Sequence, residues 1–126
     1  MVIDTAVGQQ LRMNKGPQTD FDAEFTSRFL PSLGNTPEAN RQIIDYLKSV
    51  NILQGIYGTM VTSLDEDFGS ARSQVANVEN MSMNTPAVAK IGGEWTQFSE
   101  YFEIGRSQGM SPQDILEEWR KDTGAM

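Results

Sequence analysis

The sequence predicts an all-α fold, a helical hairpin or bundle with one long central helix and short flanking helices. Three observations support this prediction. Helix-start signals recur along the chain, the longest apolar pattern has helical spacing, and no segment shows the strict alternation that is typical of a half-buried strand. At 126 residues the chain has room for one hydrophobic core.

The N-terminal part divides into an arm and a first helix. Residues 1–15 predict a weak amphipathic helix or an arm that orders on contact, because their apolar residues fit a helix only loosely. A break follows at Gly16 and Pro17. Thr19 is then a good N-cap, and the negative charges of Asp20 and Asp22 suit a helix N-terminus. A core-facing side of this helix is predicted by the four-residue spacing of Phe21, Phe25 and Phe29.

The segment PSLGNTPEANRQII is dense in turn and cap residues. Pro31 ends the preceding helix, because the residue before a proline is disfavoured in the α region. Gly34 or Asn35 can take the positive φ that a corner needs. Thr36 as N-cap and Pro37 at the first helical position then predict a new helix. The segment therefore predicts a rigid elbow that sets the angle between two helices.

A long helix of roughly 27 residues, about 40 Å at 1.5 Å per residue, is predicted to follow. Its apolar stripe recurs in steps of three and four and includes Ile43, Tyr46, Val50, Leu53, Tyr57 and Met60. The stripe fits an intramolecular core and a self-association seam equally well. Gly55 and Gly58 inside the helix indicate close helix approach or a soft point.

Beyond this helix the pattern is more interrupted. We predict a helical stretch to about Asn80, bent at Gly69, and then a linker over residues 81–86. The chain is thereby divided into an arm at residues 1–15, a helix-elbow-helix module at 16–82, and a linker with short C-terminal helices at 83–126.

Two C-terminal helices are predicted. The spacing of Trp95, Phe98, Tyr101 and Phe102 favours a short helix from about Glu94 to Glu103 over a strand. In the last helix Ser111 is the N-cap, Pro112 occupies the first position and Asp114 lies three residues after the cap.

Aromatic and aliphatic residues of these helices are candidates for a protein interface, since aromatic side chains dominate interface anchors. Packing in the chain's own core is the alternative. The candidate interface residues are Ile43, Tyr46, Val50, Leu53, Tyr57, Met60, Trp95, Phe98, Phe102 and Trp119.

Composition excludes several classes of function. The chain has no cysteine and no histidine, so it cannot assemble a Ser-His-Asp or Cys-His nucleophile or a usual zinc site. A net charge of −7 disfavours direct binding to nucleic acid, which requires a basic patch. There is no run of about 18 apolar residues, so no membrane-spanning segment is expected.

The sequence does not match the metal-binding, phosphate-binding or glycosidase patterns that some of its residues suggest. Counted from Asp65, an EF-hand loop would need a glycine at the sixth position and a glutamate at the twelfth, where Ser70 and Ala76 stand. Neither glycine-rich phosphate-binding pattern is present. The carboxylate pairs Glu100/Glu103 and Glu117/Glu118 have no sequence feature that isolates them for glycoside cleavage. We therefore predict no catalytic residues, no metal, no cofactor and no enzymatic activity.

The segment from Gly16 to Lys48 resembles a module of tailed-bacteriophage virion proteins. The module lies towards the end of large internal or DNA-ejection proteins, where a QTDF helix start is followed by a PxLxNTPExNxxII turn and a long helix. The resemblance covers about a quarter of the chain and transfers no catalytic residue. It implies a structural component of the virion, present in the host cytoplasm during assembly, that packs against itself or a larger virion protein and has a link to the DNA-ejection apparatus. The alternative is a small acidic regulatory or adaptor protein that binds a host or phage protein through its aromatic C-terminal half.

Overall fold

The structure, a computed structural model, describes residues 19–62 and 68–125. The arm at residues 1–15 and the acidic cluster at residues 65–67 lie outside these ranges. The elements in chain order are α1 (Asp20–Phe29), a 3₁₀ turn (Leu30–Ser32), α2 (Pro37–Thr62), α3 (Phe68–Asn84), β1 (Val88–Ile91), β2 (Glu94–Gln97), α4 (Phe98–Ser107) and α5 (Pro112–Asp122).

The helix starts follow the predicted capping chemistry. The hydroxyl of Thr19 accepts a hydrogen bond from the backbone N–H of Asp22, and that of Ser111 accepts one from Asp114. Thr36 accepts the corresponding bond from the N–H of Ala39, at 3.1 Å. Each cap satisfies one of the N–H groups that the first turn of a helix leaves without an intrahelical partner.

The predicted elbow is confirmed, and its chemistry is more specific than expected. α1 ends at Phe29 and the 3₁₀ turn leads into the corner, where Gly34 takes a φ of +86°. The Gly34 N–H donates to the side-chain oxygen of Asn40, at 2.6 Å. Because Asn40 lies in the first turn of α2, this bond ties the corner to the helix that it starts.

α2 is continuous over 26 residues, close to the predicted length. Gly55 and Gly58 are both exposed, and a Cβ added at either would meet nothing of the described chain within 4 Å. The expectation of close helix approach at these glycines is therefore wrong for the described residues. α3 extends to Asn84, so helix replaces most of the predicted linker.

A β-hairpin corrects the prediction for residues 88–97. β1 and β2 pair antiparallel, with Ile91 opposite Glu94, and the two-residue loop between them has φ of +62° at Gly92 and +83° at Gly93. Positive φ at both positions is the requirement of a type I′ turn, which suits the twist of paired strands. The expected helix therefore begins at Phe98 and not at Glu94. The fold is mostly helical with a small two-stranded sheet, and the all-α prediction is wrong at the hairpin.

The core joins both halves of the chain through two aromatic groups. Phe25 of α1 is fully buried, and its ring centroid lies 5.3 Å from that of Tyr46 on α2 and 5.3 Å from that of Trp95 on β2. The rings of Phe98 and Trp119 are 5.4 Å apart, which packs α4 on α5. Helices from residues 16–82 and elements from residues 83–126 thus share one core.

Two buried hydrogen bonds anchor the chain between α3 and β1. The carboxylate of Asp22 accepts from the N–H of Ala87, at 3.0 Å, and the indole of Trp119 donates to the carbonyl of Pro86, at 2.7 Å. α1 and α5 are thereby fixed to neighbouring residues at the entrance of the hairpin.

Candidate interaction surface

A polar cleft of about 330 Å³ lies where the N-terminal half of α2 faces β2 and α4. We define the polar cleft by six of its lining residues: Arg41, Asp45 and Lys48 from α2, Trp95 from β2, and Glu100 and Glu103 from α4. The spacing of three and four residues along α2 places its three side chains on one helix face. The same rule places the two glutamates together on α4.

The floor of the polar cleft is a satisfied hydrogen-bond network. The Gln97 amide donates to the carbonyl of Gln42, at 3.3 Å, and its oxygen accepts from the Ser49 hydroxyl, at 3.1 Å. That hydroxyl in turn accepts from the N–H of Ser99, at 2.8 Å. Since Ser49, Gln97 and Ser99 are buried, this network fixes α2 against the junction of β2 and α4.

The walls of the polar cleft carry opposite charge. The α2 wall carries the exposed Arg41 and Lys48 and the half-buried Asp45, a net charge of +1, whereas the α4 wall carries the exposed Glu100 and Glu103. Within residues 19–62 and 68–125, none of the five charged side chains of the cleft has an ion-pair partner within 4.0 Å. The two walls therefore offer charges that the described part of the chain does not itself neutralise.

An exposed isoleucine stands beside each charged wall. Ile44 is 41% exposed and lies three residues after Arg41 and four before Lys48. Ile104 is 56% exposed and follows Glu103 directly. α2 thus presents an exposed isoleucine beside two cations and the carboxylate of Asp45, and α4 presents one beside two carboxylates.

Trp95 carries an unusual indole. Its Nε1 is buried, yet no acceptor among the described residues lies within hydrogen-bond distance. The Lys90 ammonium lies 4.9 Å from the ring centroid and also pairs with Glu24 at 2.8 Å. Trp95 is therefore held by contacts with both Lys90 and Phe25, between the core and the polar cleft.

The candidate interface residues predicted from sequence divide into two groups, and the first is buried in the chain's own core. This group comprises Ile43, Tyr46, Leu53, Tyr57, Phe98 and Trp119. The second group is half-buried and packs against that core: Val50, Met60, Trp95 and Phe102. Of the two interpretations of the α2 stripe, the burial of its residues within one chain favours the intramolecular core.

The buried ionisable groups are engaged in internal contacts. Burial raises the pKa of the Asp22 carboxyl, although its hydrogen bonds with Thr19 and Ala87 act in the opposite direction. Burial, together with the negative charge of Asp22, raises the pKa of Tyr46. Burial also raises the pKa of Tyr57, whose hydroxyl lies 2.6 Å from that of Thr85. These groups hold elements of the fold together.

Sequence reasoning missed the charged residues of the polar cleft. Arg41, Ile44 and Lys48 stand at i, i+3 and i+7 along one helix face, a spacing that the sequence contains, but the interface prediction rests on the apolar side of the same helix. Glu100 and Glu103 were considered only as a possible acid and base. Their position opposite α2 depends on the hairpin, which has its own sequence signal in the Gly92-Gly93 pair.

The described residues contain no group of three or more potential metal ligands close together. Within the same ranges, no helix has the length and apolar character needed to cross a membrane. Comparison of the chain with protein-family models, with curated proteins and with solved structures finds no match.

Proposed function

We propose that this chain is a non-enzymatic structural component of a tailed-phage virion that acts by packing against protein. The resemblance of residues 16–48 to a virion module is the reason for naming this class of particle. The observation that carries the packing role is the polar cleft, where two helices present exposed, unneutralised charges of opposite sign beside exposed isoleucines. Side chains of this kind are suited to recognition by another protein surface.

Rigidity supports this role. The elbow at Gly34, the network at Ser49 and the buried bond between Asp22 and Ala87 fix the angle between α1, α2 and the hairpin. A surface that is held in one shape loses little entropy on binding, so more of the contact energy appears as affinity. Such a module is suited to repeated, identical contacts in a particle.

The proposal extends to a link with the DNA-ejection apparatus, through a larger virion protein as partner. Nucleic acid is not proposed as a direct ligand, because the chain has a net charge of −7 and would repel a phosphate backbone. Location in the virion, after a cytoplasmic stage during assembly, follows from the same proposal.

Mass spectrometry of purified particles tests the proposal. The protein should be present in mature virions at a constant copy number between preparations, and it should remain after density-gradient purification. Its absence from mature particles would refute the virion role. Recovery of the labelled protein with a host protein, and never with particles, would instead support the alternative of a regulatory or adaptor protein.

A further inference from the structure

The polar cleft has a feature that determines its partner: its two walls are complementary to each other. The α2 wall carries Arg41, Lys48 and Asp45, a net charge of +1, and the α4 wall carries Glu100 and Glu103. Within one chain these charges do not meet, because no ion pair within 4.0 Å joins them among the described residues. A second molecule that satisfied both walls would need to carry a cationic wall next to an anionic one.

A second copy of the same chain has this arrangement. A two-fold axis through the cleft brings the α2 wall of each copy to the α4 wall of the other, so every charge pair forms twice. Such an isologous contact needs only one self-complementary surface. The two copies would then neutralise Arg41 and Lys48 of each chain, which one copy leaves solvated.

The exposed isoleucines fit the same contact. Ile44 adjoins the cations of α2 and Ile104 adjoins the carboxylates of α4, and both are among the large apolar residues that the described chain leaves exposed. Neither isoleucine lines the cleft, so each would lie at the margin of the contact beside the charges, where pairing would remove apolar surface from water. Pairing the walls would bring Ile44 of one copy near Ile104 of its partner.

We propose that the chain forms a two-fold homodimer across the polar cleft, with Arg41 and Lys48 of each copy facing Glu100 and Glu103 of the other. The dimer rests on the proposed packing function and specifies the partner, which is a second copy of this chain. The interface uses the exposed side of α2, opposite the apolar stripe that fills the core.

A charge-exchange experiment tests the dimer. The wild-type chain, at roughly 100 μM to favour even a micromolar contact, should have twice the 14.0 kDa mass of one chain by light scattering. Arg41→Glu/Lys48→Glu should weaken the dimer about 100-fold or more, since it places like charges face to face. Glu100→Lys/Glu103→Lys should do the same. An equimolar mixture of the two variants should recover the dimer mass, because each supplies the wall that the other now requires.

The control is Arg28→Glu/Lys121→Glu, which changes the net charge by the same amount at exposed positions outside the cleft. It should leave the mass at that of the dimer. Circular dichroism confirms that each variant retains its helices. A wild-type chain that is monomeric, or has any mass other than twice that of one chain, contradicts the proposal, as does a dimer that survives both reversals.

Cysteine cross-linking supplies a second measurement that does not depend on the charge variants. The chain has no native cysteine, so Ile44→Cys and Ile104→Cys each introduce a single thiol. An oxidised mixture of the two should give a covalent dimer between unlike chains, whereas a mixture of Ile104→Cys with the exposed control Glu79→Cys should not. Equal cross-linking in both mixtures would contradict the interface. If the protein is present in virions but monomeric in solution, the dimer is refuted and the virion role stands.

Discussion

The carboxylate of Asp22 accepts a 3.0 Å hydrogen bond from the backbone N–H of Ala87, a residue 65 positions further along the chain. The Thr19 hydroxyl donates to the other carboxylate oxygen, at 2.7 Å. Asp22 therefore satisfies a buried backbone donor at the entrance of the hairpin while its other oxygen accepts a hydrogen bond from the N-cap of α1. This one side chain connects the first described helix to the sheet.

We expect Asp22→Ala to lower the free energy of unfolding by about 2 kcal/mol, because the N–H of Ala87 would remain buried without its acceptor. Urea denaturation followed by circular dichroism measures the change. The control is Asp20→Ala in the same first turn, where the exposed carboxylate contributes only its interaction with the helix dipole, worth roughly 0.5 kcal/mol. Equal effects of the two substitutions would show that the bond to Ala87 contributes nothing.

The stability should depend on pH through Asp22 with a definite sign. Burial raises the pKa of Asp22 in the folded chain above its ordinary 3.8, so the folded state binds this proton more tightly than the unfolded state. Ionisation of this group therefore costs stability as pH rises through the folded pKa, and the cost is relieved as pH falls towards 3.8. Asp22→Asn lacks the titrating group. The stability of the wild type relative to this variant should increase as pH is lowered from neutrality towards 4, and an unchanged or opposite trend contradicts the expectation.

Gly105→Ala should destabilise the protein by roughly 1–3 kcal/mol, the usual cost of overpacking. A Cβ at Gly105 would lie 2.6 Å from Cγ1 and 2.8 Å from Cδ1 of Ile115, a fully buried residue of α5. Gly58→Ala is the matched control, because it adds the same methyl group to a helix in open space. That control should stabilise by about 0.5–1 kcal/mol through helix propensity. Thermal unfolding of both variants gives the comparison, and a stabilising Gly105→Ala would refute the close approach of α4 and α5.

The two tryptophans should respond differently to replacement by phenylalanine. Trp119→Phe removes the 2.7 Å bond to the carbonyl of Pro86 and leaves that carbonyl without its donor, so a loss of about 2 kcal/mol is expected. Trp95→Phe removes a buried Nε1 that has no acceptor in the described chain, which offsets part of the lost packing. We expect the second change to cost less, by chemical denaturation under identical conditions. A larger loss for Trp95→Phe would indicate that its indole does have an acceptor.

Local chemistry made the helix boundaries predictable. Thr19, Thr36 and Ser111 are short polar side chains followed by helix-forming residues, and each accepts the hydrogen bond that its sequence context indicates. The corner at Gly34 is predictable for the same reason, since the requirement for positive φ involves a single residue. These features depend on interactions within a few residues.

The hairpin shows that aromatic spacing alone can indicate a helix where the chain forms a strand. The three- and four-residue spacing of Trp95, Phe98 and Phe102 suits a helix, but Trp95 belongs to β2 and the helix begins at Phe98. The Gly92-Gly93 pair, flanked by short runs that include Val88 and Ile91, was the better indicator. When an aromatic pattern crosses from a strand into a helix, its three- and four-residue spacing no longer places the side chains on one helix face.

The role of Asp22 could not be predicted from the sequence. At the third position of a helix a carboxylate is expected to face solvent and interact with the helix dipole. Its burial depends on Ala87, Tyr46 and the path of the chain into β1, none of which is local to α1. The polar cleft has the same origin, because its two walls are brought together by tertiary packing.

The hairpin also has a kinetic consequence. Two strands of four residues are at best marginally stable alone, and β1 is ordered here by burial of Val88 and Ala89 and by the bond from Ala87 to α1. The segments that meet there are separated by most of the helical chain, and closing so long a loop costs entropy before any contact forms. We expect the neighbouring helices α2 and α3 to associate early. The slow step of folding would then be the arrival of α1 at the strand, so the folding rate depends on a contact between residues 65 positions apart and little on the propensity of the helices.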